Sequence, residues 1–295
     1  MSGSAAIFCS EKALLPEMSP PKVTAMKFGI CNEIFQGWSI DDTIRYAAKT
    51  GYDGLEIAPF TLGKLVTDIP KAERQRVRQV AEENRLAISG IHWVLVQAEG
   101  MYVTHPEKSV RERTAQYFCD LVDFCRDLGG KTIVVGSPKQ RNIMDGITHE
   151  QAWNWATETF TPSIKRAQDS GVTICLEPLA PSETNFINTA AEAISFVKQF
   201  ASPNFRIILD VKAMSSESMP IPQIIRQSWP HFAYFHANDK NLKGPGFGDV
   251  DFKPIAAALK EVGYDGYVSV EVFKFEEGPE AIATRSLEYL KRTFA

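Results

Sequence analysis

The sequence predicts a single α/β domain, a closed (β/α)8 barrel over residues 26–295, and three observations carry that expectation. From Met26 onward, eight short runs rich in β-branched and aromatic residues alternate with longer segments of helical period, as repeated βα units around a parallel sheet do. A count of eight favours closure over an open doubly wound sheet. No glycine-rich fingerprint follows the first run, so a dinucleotide-binding sheet loses its main support.

The strand-like runs are KFGIC (27–31), GLEIA (54–58), LAISGI (86–91), TIVVG (132–136), VTICLE (172–177), RIILD (206–210), FAYFH (232–236) and YVSVE (267–271). Helical segments fall between them, among them Asp41 to Thr50, Lys71 to Asn84, Val110 to Leu128 and Gln151 to Ser170, and eight helices are expected in strict alternation with the strands. Gly51, Gly129, Gly171 and Gly263 follow helical segments, where a left-handed C-cap favours glycine. The phrases TGYDGLEI (50–57) and VGYDGYVSVE (262–271) echo one another, either as a trace of βα repetition or as a convergent helix-stop and strand-start signal. Residues 1–25 are rich in Ser and Pro and lack both the basic start and the apolar run of a secretory signal. They are expected to form a flexible N-terminal tail outside the fold.

Composition removes several classes of function. The 295 residues, 44% of them hydrophobic, suffice for one large core. A net charge of −4 with Lys and Arg scattered lacks the basic footprint of a nucleic-acid binder. No apolar stretch reaches the roughly 18 residues that read as a membrane span. The five cysteines are odd in number, and Cys31 and Cys175 lie in apolar strand-like runs, which reads as buried thiols in a reducing, cytoplasmic setting. A homo-oligomer is left open.

The chemistry gathers at strand ends, where the mouth of a parallel barrel lies. Glu177, Asp210, His236 and Glu271 close four successive runs, at spacings of 33, 26 and 35 residues, each about one βα unit. Any one of these alone reads as a helix cap or a solvated acid. Four from neighbouring strands converge on one spot, and three clustered carboxylates repel one another unless a cation joins them. Three oxygens and one imidazole without a thiolate suit one fairly hard divalent ion, Mn²⁺ or Mg²⁺, with Co²⁺ as a third choice.

The motifs LEP (176–178), LD (209–210), FHAND (235–239) and VEVF (270–273) resemble those of the xylose isomerase-like TIM-barrel superfamily of sugar isomerases and epimerases. The likeness is to its ketose 3-epimerase, hydroxypyruvate isomerase and inosose dehydratase branches, over nearly everything after Met26. It implies that Glu177, Asp210, His236 and Glu271 bind the metal and that Glu177 and Glu271 also move protons. The reaction it implies passes through a metal-stabilised enediolate of an unphosphorylated ketose or keto-sugar. It further implies that Glu183, by its offset from Glu177, contacts a substrate hydroxyl.

Further candidates for the mouth are Glu56, which either lines it or ties the barrel to a neighbour, and His92, followed by Trp93 as an apolar wall. Lys139, in a turn with Gln140 and Arg141, and Asp239 and Lys240, directly after the metal histidine, complete the set. One departure stands out. The superfamily's ketose 3-epimerases carry a histidine three residues after the sixth-strand aspartate, where this chain has Ala213 in DVKAM. Free ketohexoses such as fructose or tagatose are therefore expected to be poor substrates, and Lys212 is expected to point to the opposite face if strand alternation continues. The competing function is a lyase, an inosose dehydratase or a keto-glycoside β-eliminating enzyme, using the same metal site. An apurinic endonuclease is disfavoured because its histidine-rich zinc site is not matched by the five histidines present.

Overall fold

Eight parallel strands pair in chain order and the first pairs with the last, closing the barrel that the alternating runs predict. The computed structural model describes residues 26–295, so the tail expected over residues 1–25 lies outside the described residues. The strands are β1 (Lys27–Cys31), β2 (Gly54–Ile57), β3 (Ala87–Ile91), β4 (Thr132–Val135), β5 (Thr173–Leu176), β6 (Phe205–Asp210), β7 (Phe232–Ala237) and β8 (Tyr267–Val270). Each agrees with its strand-like run to within about one or two residues, the usual scatter of boundary assignment.

Among the described residues, nine helices rather than eight surround the sheet: α1 (Ile40–Thr50), α2 (Lys71–Glu83), α3 (Lys108–Asp127), α4 (His149–Ser170), α5 (Ala190–Lys198), α6 (Val211–Met214), α7 (Ile221–Ser228), α8 (Phe252–Glu261) and α9 (Pro279–Phe294). The additional one is α6, a single turn that starts directly on the last residue of β6. Helix ends follow the expected chemistry. Thr148 and Gln151 form a reciprocal capping box on α4, and Gly171 ends that helix in the left-handed region at φ 65. Such a cap contributes about 1 kcal/mol.

Two apolar layers hold the molecule together. The larger lies between sheet and helices, where the Phe160 ring contacts those of Phe118, Phe196 and Phe205. The smaller lies inside the barrel and consists of Val134, Cys175, Ile208 and Tyr234. Three of its members precede a strand-end residue of interest by two positions. Side chains alternate along a strand, so Cys175, Ile208 and Tyr234 pointing inward place Glu177, Asp210 and His236 on the same inner face, one layer higher.

Register is adjusted to match. Ile207 pairs with Phe232 but Ile208 pairs with Tyr234, a one-residue bulge on β7 that brings Asp210 directly opposite His236. Bulges re-aim side chains in this way beside functional sites. A second slip lets Glu56 pair with Gly90 and leaves Ser89 extra on β3. There the backbones approach closely, because a Cβ on Gly90 would lie 2.3 Å from the Thr132 carbonyl oxygen. We expect Gly90→Ala to destabilise the fold by about 1–3 kcal/mol, the range for overpacking. Urea denaturation measures this, and an unchanged midpoint would show that β3 and β4 separate freely.

Candidate metal centre

The structure brings Glu177, Asp210, His236 and Glu271 together. One donor atom from each lies within 4.8 Å of the others, and all four residues are buried. Asp210 and His236 sit within β6 and β7, whereas Glu177 and Glu271 directly follow β5 and β8.

The imidazole is oriented for a ligand role. His236 Nε2 lies 3.0 Å from Glu56 Oε2. Its Nδ1 is 3.2 Å from Glu271 Oε2, yet this buried atom makes no hydrogen bond. Without an ion, Glu56 and Glu271 outweigh burial and hold this imidazole well above its usual value; with one bound, the Glu56 carboxylate would keep the far N–H and leave the near lone pair to the ion, as metal-bound histidines require. Glu56 is fully buried and also accepts from the Ser269 hydroxyl at 2.9 Å and the Cys31 thiol at 3.5 Å. Glu56 thus lies beneath the centre, bonded to His236, Ser269 and Cys31.

The carboxyl groups do not share one electrostatic state. Burial, reinforced by Asp210 and Glu271, pushes the Glu177 carboxyl from 4.5 up to about 8. Asp210 rises for the same reasons, burial first and Glu271 second. Burial would raise Glu271 too, but His236 and His92 outweigh it and hold this carboxyl well below its usual value. Glu56 is lowered likewise, with burial outweighed by the same two histidines. The positive charge thus serves Glu56 and Glu271, and the Glu177–Asp210 side is left short of it. Donors alone do not relieve this. Asp210 Oδ1 accepts the Ala213 amide at 2.7 Å, while its other oxygen accepts the Asn238 side-chain amide. The same amide reaches Glu271 Oε2 at 3.4 Å, and Asn238 Oδ1 accepts the Lys212 amide at 2.8 Å. Gly136 leaves the space that Glu177 fills, since a Cβ there would lie 2.3 Å from Glu177 Oε2.

A second layer backs Glu271. His92 is wholly buried, with Nε2 2.8 Å from Glu33 Oε2 and Nδ1 3.4 Å from Glu271 Oε1. Burial alone would lower this imidazole, but Glu33, Glu56 and Glu271 raise it to about 10. Both ring nitrogens of His92 are therefore engaged by acids. Cys31, His92 and His236 form a second close set of donors that shares His236 with the first. Trp93 takes a left-handed backbone at φ 51, a conformation costing of order 1–3 kcal/mol outside glycine. Its indole N–H donates to Glu271 Oε1 at 2.8 Å.

At the mouth, Lys212 Nζ donates to Glu183 Oε1 at 2.7 Å and lies 4.1 Å from the Phe273 ring centroid. The alternation argument against Lys212 fails because the chain turns helical at Val211, which rotates Lys212 toward Glu183. Other candidates serve the scaffold or the surface. Lys139 is exposed and lines a separate depression with Tyr102, His105 and Arg113. Arg141, from the same turn, is the buried cation and donates to the Glu177 backbone carbonyl at 2.7 Å. Asp239 is buried and accepts from the Val250 and Asn241 amides, and Lys240 is exposed. Reasoning from sequence did not single out Glu33 or Asn238. Each lies two residues beyond an inward-facing strand residue, Cys31 and His236, and that offset was the available signal.

Among the described residues no helix is long and apolar enough to cross a membrane. The model of the xylose isomerase-like TIM barrel matches residues 44–293. The D-psicose 3-epimerase of Ruminiclostridium cellulolyticum is 29% identical over 253 residues, covering 84% of each chain. The ketose 3-epimerase of Arthrobacter globiformis is 33% identical over 250 residues, again 84% of each. A crystal structure of D-psicose 3-epimerase with D-tagatose from Clostridium cellulolyticum superposes with a TM-score of 0.81 at 24% identity, covering 91% of this chain and 99% of that one. The expectation of an enzyme of the epimerase class is borne out by these relatives, and the chain belongs to the xylose isomerase-like TIM-barrel family.

Proposed function

We propose that this enzyme is a divalent-metal-dependent sugar epimerase acting beside the carbonyl of an unphosphorylated ketose or keto-sugar. The observation that carries the reading is the convergence of Glu177, Asp210, His236 and Glu271 within 4.8 Å, with His236 Nδ1 unpartnered among three acids. Three carboxylates and an imidazole favour Mn²⁺ or Mg²⁺, with Co²⁺ as the third candidate. When bound, such an ion supplies Lewis acidity at the carbonyl and lowers the barrier to breaking the adjacent C–H bond. We place the enzyme in the cytoplasm, because Cys31, Cys125 and Cys175 are buried free thiols.

Proton movement falls to Glu177 and Glu271. They follow β5 and β8, with β6 and β7 between them in the barrel order, so the two acids approach the centre from opposite sides. One removes a proton from one face of the carbon and the other delivers a proton to the opposite face, which inverts the carbon. Glu271 is held in place by Trp93 Nε1–H and His92. Glu183 and Lys212 form a polar pair at the mouth, where Lys212 supplies the donor that Ala213 cannot. The lyase reading uses the same first step and differs only in expelling a β-substituent, so product mass separates the two.

Metal affinity should depend on pH. The raised Glu177 carboxyl stabilises the metal-free fold fully below its usual 4.5, and that contribution is lost as pH rises through about 8. Asp210 acts in the same direction. An ion displaces the Glu177 proton, so calorimetry with Mn²⁺ should show proton release and a Kd that tightens by up to about tenfold per pH unit between pH 6 and 8. A pH-independent Kd without proton release would place the ion elsewhere.

Glu177→Gln and Glu271→Gln should each lower turnover at least about a hundredfold. Solvent deuterium should enter the carbon next to the carbonyl even where net conversion is slow. Conversion without any deuterium uptake, followed by mass spectrometry, would point instead to a hydride shift between carbons.

A further inference from the structure

At the end of the barrel opposite the metal centre, the segments that lead into β6 and β7 enclose a depression of about 390 Å³. Lys198, Arg206 and His231 line it with Ser202, and no carboxylate does. Arg206 stands four residues before Asp210 on β6, which at a rise of ~3.3 Å per residue separates the depression from the strand-end acids by about 13 Å. It is open to solvent, since Lys198 is exposed and Arg206, His231 and Ser202 are each partly so.

The polar groups of this depression are donors with little to donate to. Among the described residues the Lys198 ammonium and the His231 ring have no hydrogen-bond or ion-pair partner. Arg206 Nη2 donates to the Phe232 carbonyl at 2.9 Å, which steadies the guanidinium at the entrance to β7. Ser202 Oγ accepts from Gln168 Nε2 at 2.8 Å and from the Asn204 amide at 3.2 Å, and its own hydroxyl hydrogen stays uncommitted. The basic groups also feel one another. Burial first, then Lys198 and Arg206, hold the His231 imidazole below its usual 6.5. Helix α5 ends at Lys198, but the carbonyls of its last turn amount to only about half a negative charge, too little to balance the group.

These features select the occupant. A cation is repelled, and an apolar molecule leaves the donors unpaired. A carboxylate brings two oxygens to four donor groups, whereas a tetrahedral oxyanion brings up to four and a second negative charge. We propose that this depression is a second ligand site, which binds a tetrahedral oxyanion either free or as the phosphate group of a small organic ester. It is independent of the epimerase reading, because nothing bound there reaches the metal centre.

Proton NMR of the full chain checks this through His231, with His231→Gln to assign its signal. Sulfate is the probe, because it stays doubly charged while the imidazole titrates. Saturating sulfate should raise the His231 pKa by about half a pH unit or more, since the protonated ring gains an anion beside it. Sodium chloride at the same ionic strength should give less than half that rise. Lys198→Gln and Ser202→Ala should each weaken sulfate binding by about threefold or more, with circular dichroism and Mn²⁺ affinity unchanged. Glycerol 3-phosphate binding more tightly than inorganic phosphate would assign the site to an ester, and the reverse order to the free ion. Equal effects of sulfate and chloride on His231, or variants that bind sulfate as the wild type does, would overturn the site.

Discussion

Five buried acids, Glu33, Glu56, Glu177, Asp210 and Glu271, face two buried imidazoles, with Lys212 and Arg141 the cations near Glu177, and this uneven distribution of charge is the constraint on which the rest of the centre depends. The two histidines are not spread evenly among the acids. His92 serves Glu33 and Glu271, and His236 serves Glu56 and Glu271, so Glu271 is compensated twice. Glu177 and Asp210 gain little from either, and their carboxyl groups rise. Removing any one charge from such a set leaves its partners uncompensated in a desolvated interior, a penalty of several kcal/mol. The deficit is therefore directional and lies on the β5–β6 side.

The fold tolerates this because the interior below the acids is filled. Cys175, Ile208 and Tyr234 occupy the layer beneath Glu177, Asp210 and His236, and Ser89 pairs with the Tyr234 hydroxyl at 2.8 Å. Tyr234 also stands edge-on to His236 at 5.6 Å. Water is thereby kept from one side of the centre. The bulge on β7 matters for the same reason, since without it Asp210 would face Phe235, whose side chain packs toward the helices.

What the sequence disclosed follows from periodicity. Strand positions were legible because each run is short and apolar and four of the eight follow a helix-stop glycine, and the convergence of four strand-end residues follows from their spacing. Single-residue geometry was not legible. The turn GSPKQRN offers Lys139 and Arg141 equally by composition, yet a left-handed Ser137 at φ 44 and the following 3₁₀ turn send Arg141 inward and leave Lys139 in solvent. His92 was found by type but not by role, since a two-residue offset identifies the inner face without saying that Glu33 fills it from the opposite loop. Lys212 was misjudged because an aspartate that ends a strand was not read as the cap of a helix.

That last point links the mouth to the candidate metal centre. Asp210 Oδ1 accepts the Ala213 amide and thereby starts α6, and α6 places Lys212 beside Glu183 and above Phe273. The Lys212 backbone amide is in turn held by Asn238, which also donates to Asp210. One carboxylate thus participates in the charge cluster and in the local backbone that orients the mouth. Any movement of Asp210 toward a cation shifts the cap, and the cap carries Lys212 with it. An interior this densely packed transmits such displacements rather than absorbing them. The strand-end cluster and the Lys212–Glu183 pair at the mouth are therefore joined through a single helical turn.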